Sequence, residues 1–439
     1  MRWSSRIEQA QHLACLLLVA SIPLPFLYNS ICIWVIVGVW LISGKYGSTW
    51  RHLKAQPVYW LMIATFFFNA VSYFWTNNKD QSIFDSVSKL SFVVMPVVIG
   101  AGTNITSKRL EQILGVFILS ITGMGIISFV NAYTRYSLDH DTTHFFYHDL
   151  VYGFEANAIY AAWYDFTALS AILFCRWTSV FKGYWTILKW LCAIILLVFL
   201  IFLSSRLLLA VFILFTIPAY LWKLISRQRR SWMTILFISS LAVAIVGTLI
   251  LTGNPVERRY RDVMHRNIQI SFLPDYRDTV PRFNNLTLRL FLWRCGMDNM
   301  KEHDLWWKGC GNGDEHFLQN ERFAELGLDS AYQARNYLVI HNIDLHNMFM
   351  ENLVSLGIPG LILFCSLMFL PFFYIRNNSQ AWFFISFNVV CFLFMLQEAA
   401  LQTQAGFVFY LVFSCIFWQD VKRTINRIPI KLNDNLKII

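Results

Sequence analysis

His346-Asn347 stands at the start of a long apolar run and sets a titratable imidazole beside a carboxamide where water meets bilayer. A neutral imidazole there can take a proton from a sugar hydroxyl near neutral pH. Three guanidinium groups come earlier in the chain. Arg206 closes Ser204-Ser205-Arg206 between two apolar runs, and Arg289 and Arg294 flank Leu-Phe-Leu-Trp293. An Arg among apolar residues at membrane depth is costly unless it is paired or exposed to water, which makes these positions candidates for function. Arg289 and Trp293, four apart, share one face of a helix. Downstream, Glu398 and Gln404 lie at the end of another apolar run, where an ionisable group is a candidate functional residue. Each has a plainer reading: Arg206 as a side chain snorkelling to the interface, His346 as a satisfied polar group, Glu398 as the ion-pair partner of an Arg. Gly309-Cys-Gly-Asn-Gly313 lacks the Lys-Ser/Thr of a phosphate-binding loop, which argues against a nucleotide site. His140, His144 and His148 would align as metal ligands only on a helix, and their segment reads as a polar loop.

The elements that position these residues are membrane spans. The chain has 439 residues, 56% hydrophobic and 14% charged, with mean hydropathy +0.48 and 39 Phe, 18 Tyr and 17 Trp. That is too little charge to coat a soluble protein of this size, and the aromatics suit interfacial belts. A soluble enzyme, a disordered chain and a nucleic-acid binder are excluded. The expected fold is an all-α polytopic membrane protein with about 12 transmembrane helices, at 12–28, 30–44, 57–75, 83–101, 111–132, 157–175, 185–203, 207–224, 232–252, 347–374, 380–398 and 402–418. The first two read as a tight hairpin, and the first as a retained helix. This organisation gives spans one to nine over 1–252, a long outer loop at 253–345, spans ten to twelve over 346–418 and a basic tail at 419–439.

With both termini cytoplasmic, the inner segments hold twenty of the 36 Lys and Arg, and the short outer loops and their helix ends hold four. This asymmetry sets the orientation and accounts for much of the formal charge of +10. The outer segments 133–156 and 253–345 are too long for turns, and a helical pattern over 286–302 predicts that the second one folds. Seven of the nine Cys lie in apolar runs, and a Cys295–Cys310 disulfide is left open. A transporter is the rival from another class, but no two matching halves are visible.

The motifs, taken together, resemble the bacterial O-antigen ligase and O-antigen polymerase superfamily. Its ligase members carry His, then Asn, Ser or Gln, nine residues, Gly, two residues, and Gly, Thr or Tyr; here these are His346-Asn347, Met348 to Leu356, and Gly357-Ile-Pro-Gly360. Ser205 to Ala210 and Arg289 to Gly311 also look like family features, in family order, so the resemblance covers roughly 200–410. It implies a C-type glycosyltransferase architecture in the bacterial inner membrane, with the active site on the periplasmic side. The donor would be a glycan on undecaprenyl diphosphate and the acceptor lipid A-core. The enzyme would work without metal or other cofactor; its partners would be the donor, lipid A-core or another glycan acceptor, and membrane lipids, with no nucleic acid. His346 would be the base, Arg206 and Arg289 would hold the diphosphate, and Asn347, Trp293, Arg294, Glu398 and Gln404 would bind or orient. A polymerase extending the repeat on the same carrier is the alternative within the family.

Overall fold

The computed structural model describes residues 2–154, 156–228, 268–336, 338, 340, 342–375 and 380–425, and no strand occurs among them. In chain order the helices are α1 (Arg2–Ala20), α2 (Phe26–Ser43), α3 (Tyr46–Lys54), α4 (Pro57–Val71), α5 (Lys79–Ser88), α6 (Ser91–Met95), α7 (Ser107–Asp139), α8 (Tyr147–Leu150), α9 (Ala158–Phe174), α10 (Trp185–Leu203), α11 (Arg206–Val211) and α12 (Ile217–Gln228). They continue with α13 (Asn285–Glu302), α14 (Glu315–Glu325), α15 (Ser330–Arg335), α16 (Met348–Tyr374), α17 (Ala381–Met395) and α18 (Gln404–Ile425).

Eight helical stretches are long and apolar enough to cross a membrane: Phe26–Ser43, Pro57–Phe74, Lys79–Ala101, Ser107–Asp139, Trp185–Leu203, Arg206–Lys223, Met348–Tyr374 and Gln404–Thr424. Two shorter apolar helices, Ala158–Phe174 and Ala381–Met395, match the expected sixth and eleventh spans. α1 covers most of the expected first span and packs on α2 as the hairpin. The expected ninth span, residues 253–267 of the loop and residues 426–439 of the tail lie outside the described residues.

Several spans are not plain helices. α7 has 33 residues, about 50 Å at 1.5 Å per residue, so it runs past a hydrocarbon layer of about 30 Å. It absorbs residues 133–139 of the segment read as an outer loop and ends at His140, which caps it with φ 57°. The run 83–101 breaks at Lys89-Leu90 and again at Pro96, where the helix widens to a π-helical turn. α16 breaks at Gly357 (φ 68°, ψ −167°), so the expected tenth span is two helical pieces.

α18, more than four-fifths buried, runs through the middle of the membrane bundle. Lipid tails are as apolar as Leu, so close packing holds such helices together more than expulsion from water does. Here aromatic pairs do this: Trp163 stacks on Phe394 at 4.4 Å, and Phe117 meets Phe413 edge-on at 4.9 Å. Such a pair contributes about 0.5–1.5 kcal/mol beyond its buried area.

Residues 268–345 build a second core around Tyr276, Phe291, Phe323 and Leu328. α13 starts on a capping box: Asn284 Oδ1 accepts from Leu286 N and Thr287 N, and Thr287 Oγ1 accepts from Asn284 N at 2.9 Å. Cys295 and Cys310 are both buried free thiols, so they form no disulfide.

Candidate active site

α10 stops at Ser204, which takes the left-handed conformation (φ 54°), and Ser205 opens α11 as its N-cap. Arg206 is therefore the first residue of a helix, at a break between two spans. Arg289 lies in the second turn of α13, one turn before Trp293. Arg206, Arg289 and Trp293 line one cavity of about 460 Å³, together with Tyr147, Ser205 and Glu398. Glu398 reaches it from the stretch that links α17 to α18.

An ion-paired chain runs through this site. Arg289 Nη2 donates to Glu398 Oε1 at 2.6 Å, with both side chains largely buried, while Nε and Nη1 donate to the carbonyls of Gln397 and Asn285 at 3.0 and 3.2 Å. The other Glu398 oxygen lies 3.3 Å from His346 Nδ1, and Asp344 Oδ1 lies 2.9 Å from the same nitrogen. Both carboxylates therefore face one ring nitrogen, at hydrogen-bonding and ion-pairing range. His346 does not itself line the cavity; it meets the wall through Glu398. Its backbone is in the left-handed region (φ 46°), a conformation held for a non-glycine residue only where its surroundings over-determine it. Two contacts do so: its N–H donates to Asp344 Oδ1 at 2.7 Å, and Trp293 Nε1 donates to the carbonyl of Leu345 at 2.9 Å.

Burial alone would pull the His346 pKa down, but contact with Asp344 and Glu398 outweighs it and lifts the group to about 9. Burial pushes Asp344 up, and His346 more than offsets this, so its carboxyl sits below its ordinary value. In this site His346 is an imidazolium at neutral pH, where the sequence alone leads one to expect the neutral ring. The difference comes from Asp344, two residues upstream, which the sequence reading passes over.

The other predicted residues lie elsewhere. Asn347 caps α16, its Oδ1 accepting from Phe349 N at 2.9 Å and Met350 N at 3.1 Å. Asn347→Ala is therefore expected to lower stability by about 1 kcal/mol and Asn347→Asp to preserve it, as read by thermal unfolding. Arg294 turns away from the cavity, donating to the carbonyl of Leu273 at 2.6 Å and pairing with Asp298 at 3.5 Å. Gln404 donates to Ser30 Oγ at 2.8 Å and lines a different cavity of about 270 Å³ beside the α1–α2 hairpin. The three outer histidines have local tasks. His140 caps α7, His144 Nε2 pairs with Asp139 at 2.7 Å, and His148 Nδ1 accepts from Ala158 N at 3.3 Å. Asp139 and Asp141 have the spacing of a divalent-cation pair, a signal the reading from Arg leaves out; here they bond Asp141 N and Thr143 N. Among the described residues no group of three or more His, Cys, Asp or Glu could hold a metal ion.

The glycine-rich string forms a clamp. Gly357 ends the first part of α16, and Pro359 has no N–H to offer, so the carbonyls of Val354 and Ser355 lack helical partners. Cys310 N and Gly311 N donate to them, both at 2.9 Å, and Ile358 N returns a bond to the Trp306 carbonyl at 2.7 Å. Asn312 and Asp314 carry the contact on to the membrane helices. Asn312 Oδ1 accepts from the buried Lys89 Nζ at 2.8 Å, and Asp314 accepts from Asn77 N and Asn78 N. Lys89 inside the apolar run 83–101 is the sequence signal for this junction.

Comparison with curated proteins returns no match. Residues 191–365 match the family described as O-antigen ligase, a stretch that holds Arg206, Arg289, Trp293, His346 and the Gly357–Gly360 motif. That match, over 175 of the 439 residues, supports a place for the chain in the O-antigen ligase-like superfamily.

Proposed function

We propose that this protein is an O-antigen ligase-type glycosyltransferase that moves a glycan from undecaprenyl diphosphate to a hydroxyl of lipid A-core. The observation that carries the reading is Arg206 and Arg289 on the wall of one cavity, with Glu398 joining Arg289 to His346. In the reaction the acceptor oxygen bonds to the anomeric carbon as that carbon's bond to the diphosphate breaks. The leaving diphosphate gains negative charge, which the two guanidinium groups compensate in the role a divalent ion has in other transferases. The hydroxyl proton passes to His346, whose imidazole must first have lost its own. Asp344 and Glu398 make the ring a strong acceptor and stabilise the imidazolium that forms.

This reading puts the site on the periplasmic side of the inner membrane. Its support is the charge on the opposite end of the bundle, where Lys45 and Lys422 line one cavity and Lys108 and Arg109 line another. Asn347, Arg294 and Gln404 then act by positioning, through the helix cap, the brace on α13 and the hairpin.

The experiment is lipopolysaccharide from a strain deleted for this gene. Loss of every O-antigen band with glycan left on the carrier supports a ligase, whereas a band of one repeat would replace this reading with the polymerase. Arg289→Ala is expected to lower transfer by about 10–10²-fold, the loss of one charge-assisted contact, with membrane insertion unchanged. Arg289→Lys should recover little, since an ammonium lacks the bidentate fork. Full activity in Arg289→Ala would remove the diphosphate-binding role.

A further inference from the structure

At the far end of the bundle from the candidate active site, eighteen residues along α18 from Gln404 and so about 27 Å away, Lys422 helps line a cavity of about 510 Å³. α1, the turn after α2, the stretch 100–105 and the end of α18 enclose it. Its cationic side chains are Lys45, Lys422 and Arg423. Two of them are already matched by carboxylates. Lys45 Nζ pairs with Glu8 at 2.8 Å, and Arg423 pairs with Asp420 and donates to the Ile105 carbonyl at 3.2 Å. Lys422 has no such partner among the described residues.

A second observation is independent of charge. Gln11 lines the same cavity, is only 3% exposed, and its Nε2 has no hydrogen-bond partner among the described residues. A buried donor left unpaired costs about 1–3 kcal/mol, so native structures supply such groups with a ligand or water. A neighbouring recess adds Lys108 and Arg109, and Arg109 donates at 2.8 Å to the carbonyl of Asn104, which lines the larger cavity. On the same short helix α3, which lines the cavity with Ser48 and His52, Tyr46 and Trp50 are both about half exposed. Aromatic side chains of this kind sit at headgroup depth, and basic pockets between spans on the inner side suit anionic headgroups.

We propose that this cavity binds a phosphate diester, supplied in the cell by the headgroup of an anionic phospholipid. Lys422 is its charge contact and the Gln11 amide its buried donor. The site is separate from the glycan-transfer cavity and does not depend on the reading given for it.

The test is native mass spectrometry of the purified full chain in detergent with equal phosphatidylglycerol and phosphatidylcholine. The wild type should retain phosphatidylglycerol preferentially. Lys422→Gln should cut that retention by roughly fivefold, the share of one Lys near an anionic headgroup. Lys54→Gln, on the same end of the bundle but outside the cavity, should change nothing. Equal losses in the two variants, or a wild type with neither a lipid preference nor stabilisation by phosphate, would overturn the site. Thermal stabilisation by inorganic phosphate over chloride, without any lipid preference, would overturn the lipid source and assign a soluble anion.

Discussion

Replacing His346 with Ala is expected to lower glycan transfer from the lipid carrier by about 10²–10⁴-fold, the usual contribution of a positioned proton acceptor. Membrane insertion should be intact, because the imidazole keeps about a quarter of its surface exposed and packs in neither apolar core. Size alone does not identify a base; the pH profile does. With a pKa of about 9, roughly one His346 in a hundred is neutral at pH 7. A base must be neutral, so the wild-type rate should climb about tenfold per pH unit and level near pH 9. A cation that only holds phosphate would give the opposite limb, with activity falling above pH 9. Asp344→Asn supplies the second arm. Removing one of the two carboxylates moves the limb down towards 6.5, the ordinary value of the ring, while a merely structural role for Asp344 would leave the limb in place. Near-wild-type transfer by His346→Ala, measured with defined donor and acceptor in detergent, would end the mechanism.

Parts of this arrangement are legible in the sequence for physical reasons. Apolar runs of span length must be helices in a bilayer, because no other single segment satisfies its own backbone there. Arg289 and Trp293 share a face because a helix repeats every 3.6 residues, and both do line the cavity. That Glu398 pairs with an Arg follows from the expense of an unpaired charge at that depth, but the choice of Arg289, 109 positions away, over Arg206 comes from the fold. What could not be read depends on long-range geometry. Arg294 is one residue from Trp293, but the same helical repeat turns it to the brace at Leu273. Gln404 is six residues beyond Glu398, but the start of α18 directs it to the hairpin. Asp344 is invisible as a partner until the left-handed turn at His346 folds the ring back onto it. The Gly309–Gly313 string is a clamp only because α16 breaks at Gly357, and neither half of that contact announces the other.

That clamp makes the most severe stability prediction. Gly309→Ala is expected to destabilise the protein by roughly 2–5 kcal/mol, from a left-handed backbone together with overpacking against main chain. Gly309 has φ 67°, and a Cβ there would sit 2.3 Å from the carbonyl carbon and oxygen of Ser355 and 2.4 Å from Leu356 N. No side-chain rotation relieves contacts with backbone, so the loop 306–311 must lift off α16. The bonds from Cys310 and Gly311 to Val354 and Ser355 then open, and those carbonyls lose their partners. The first turns of α16 carry the Asn347 cap and, just before it, His346, so the loss spreads to the candidate site. Gly123→Ala is the control, since a Cβ at that helical position meets nothing within 4 Å. Thermal unfolding of the purified variants separates the two: Gly123→Ala should melt like the wild type and Gly309→Ala well below it, with transfer lost in proportion to folded protein. If Gly309→Ala melts like the wild type, the loop is not clamped on α16, and the glycines would need a different explanation, at the ligand.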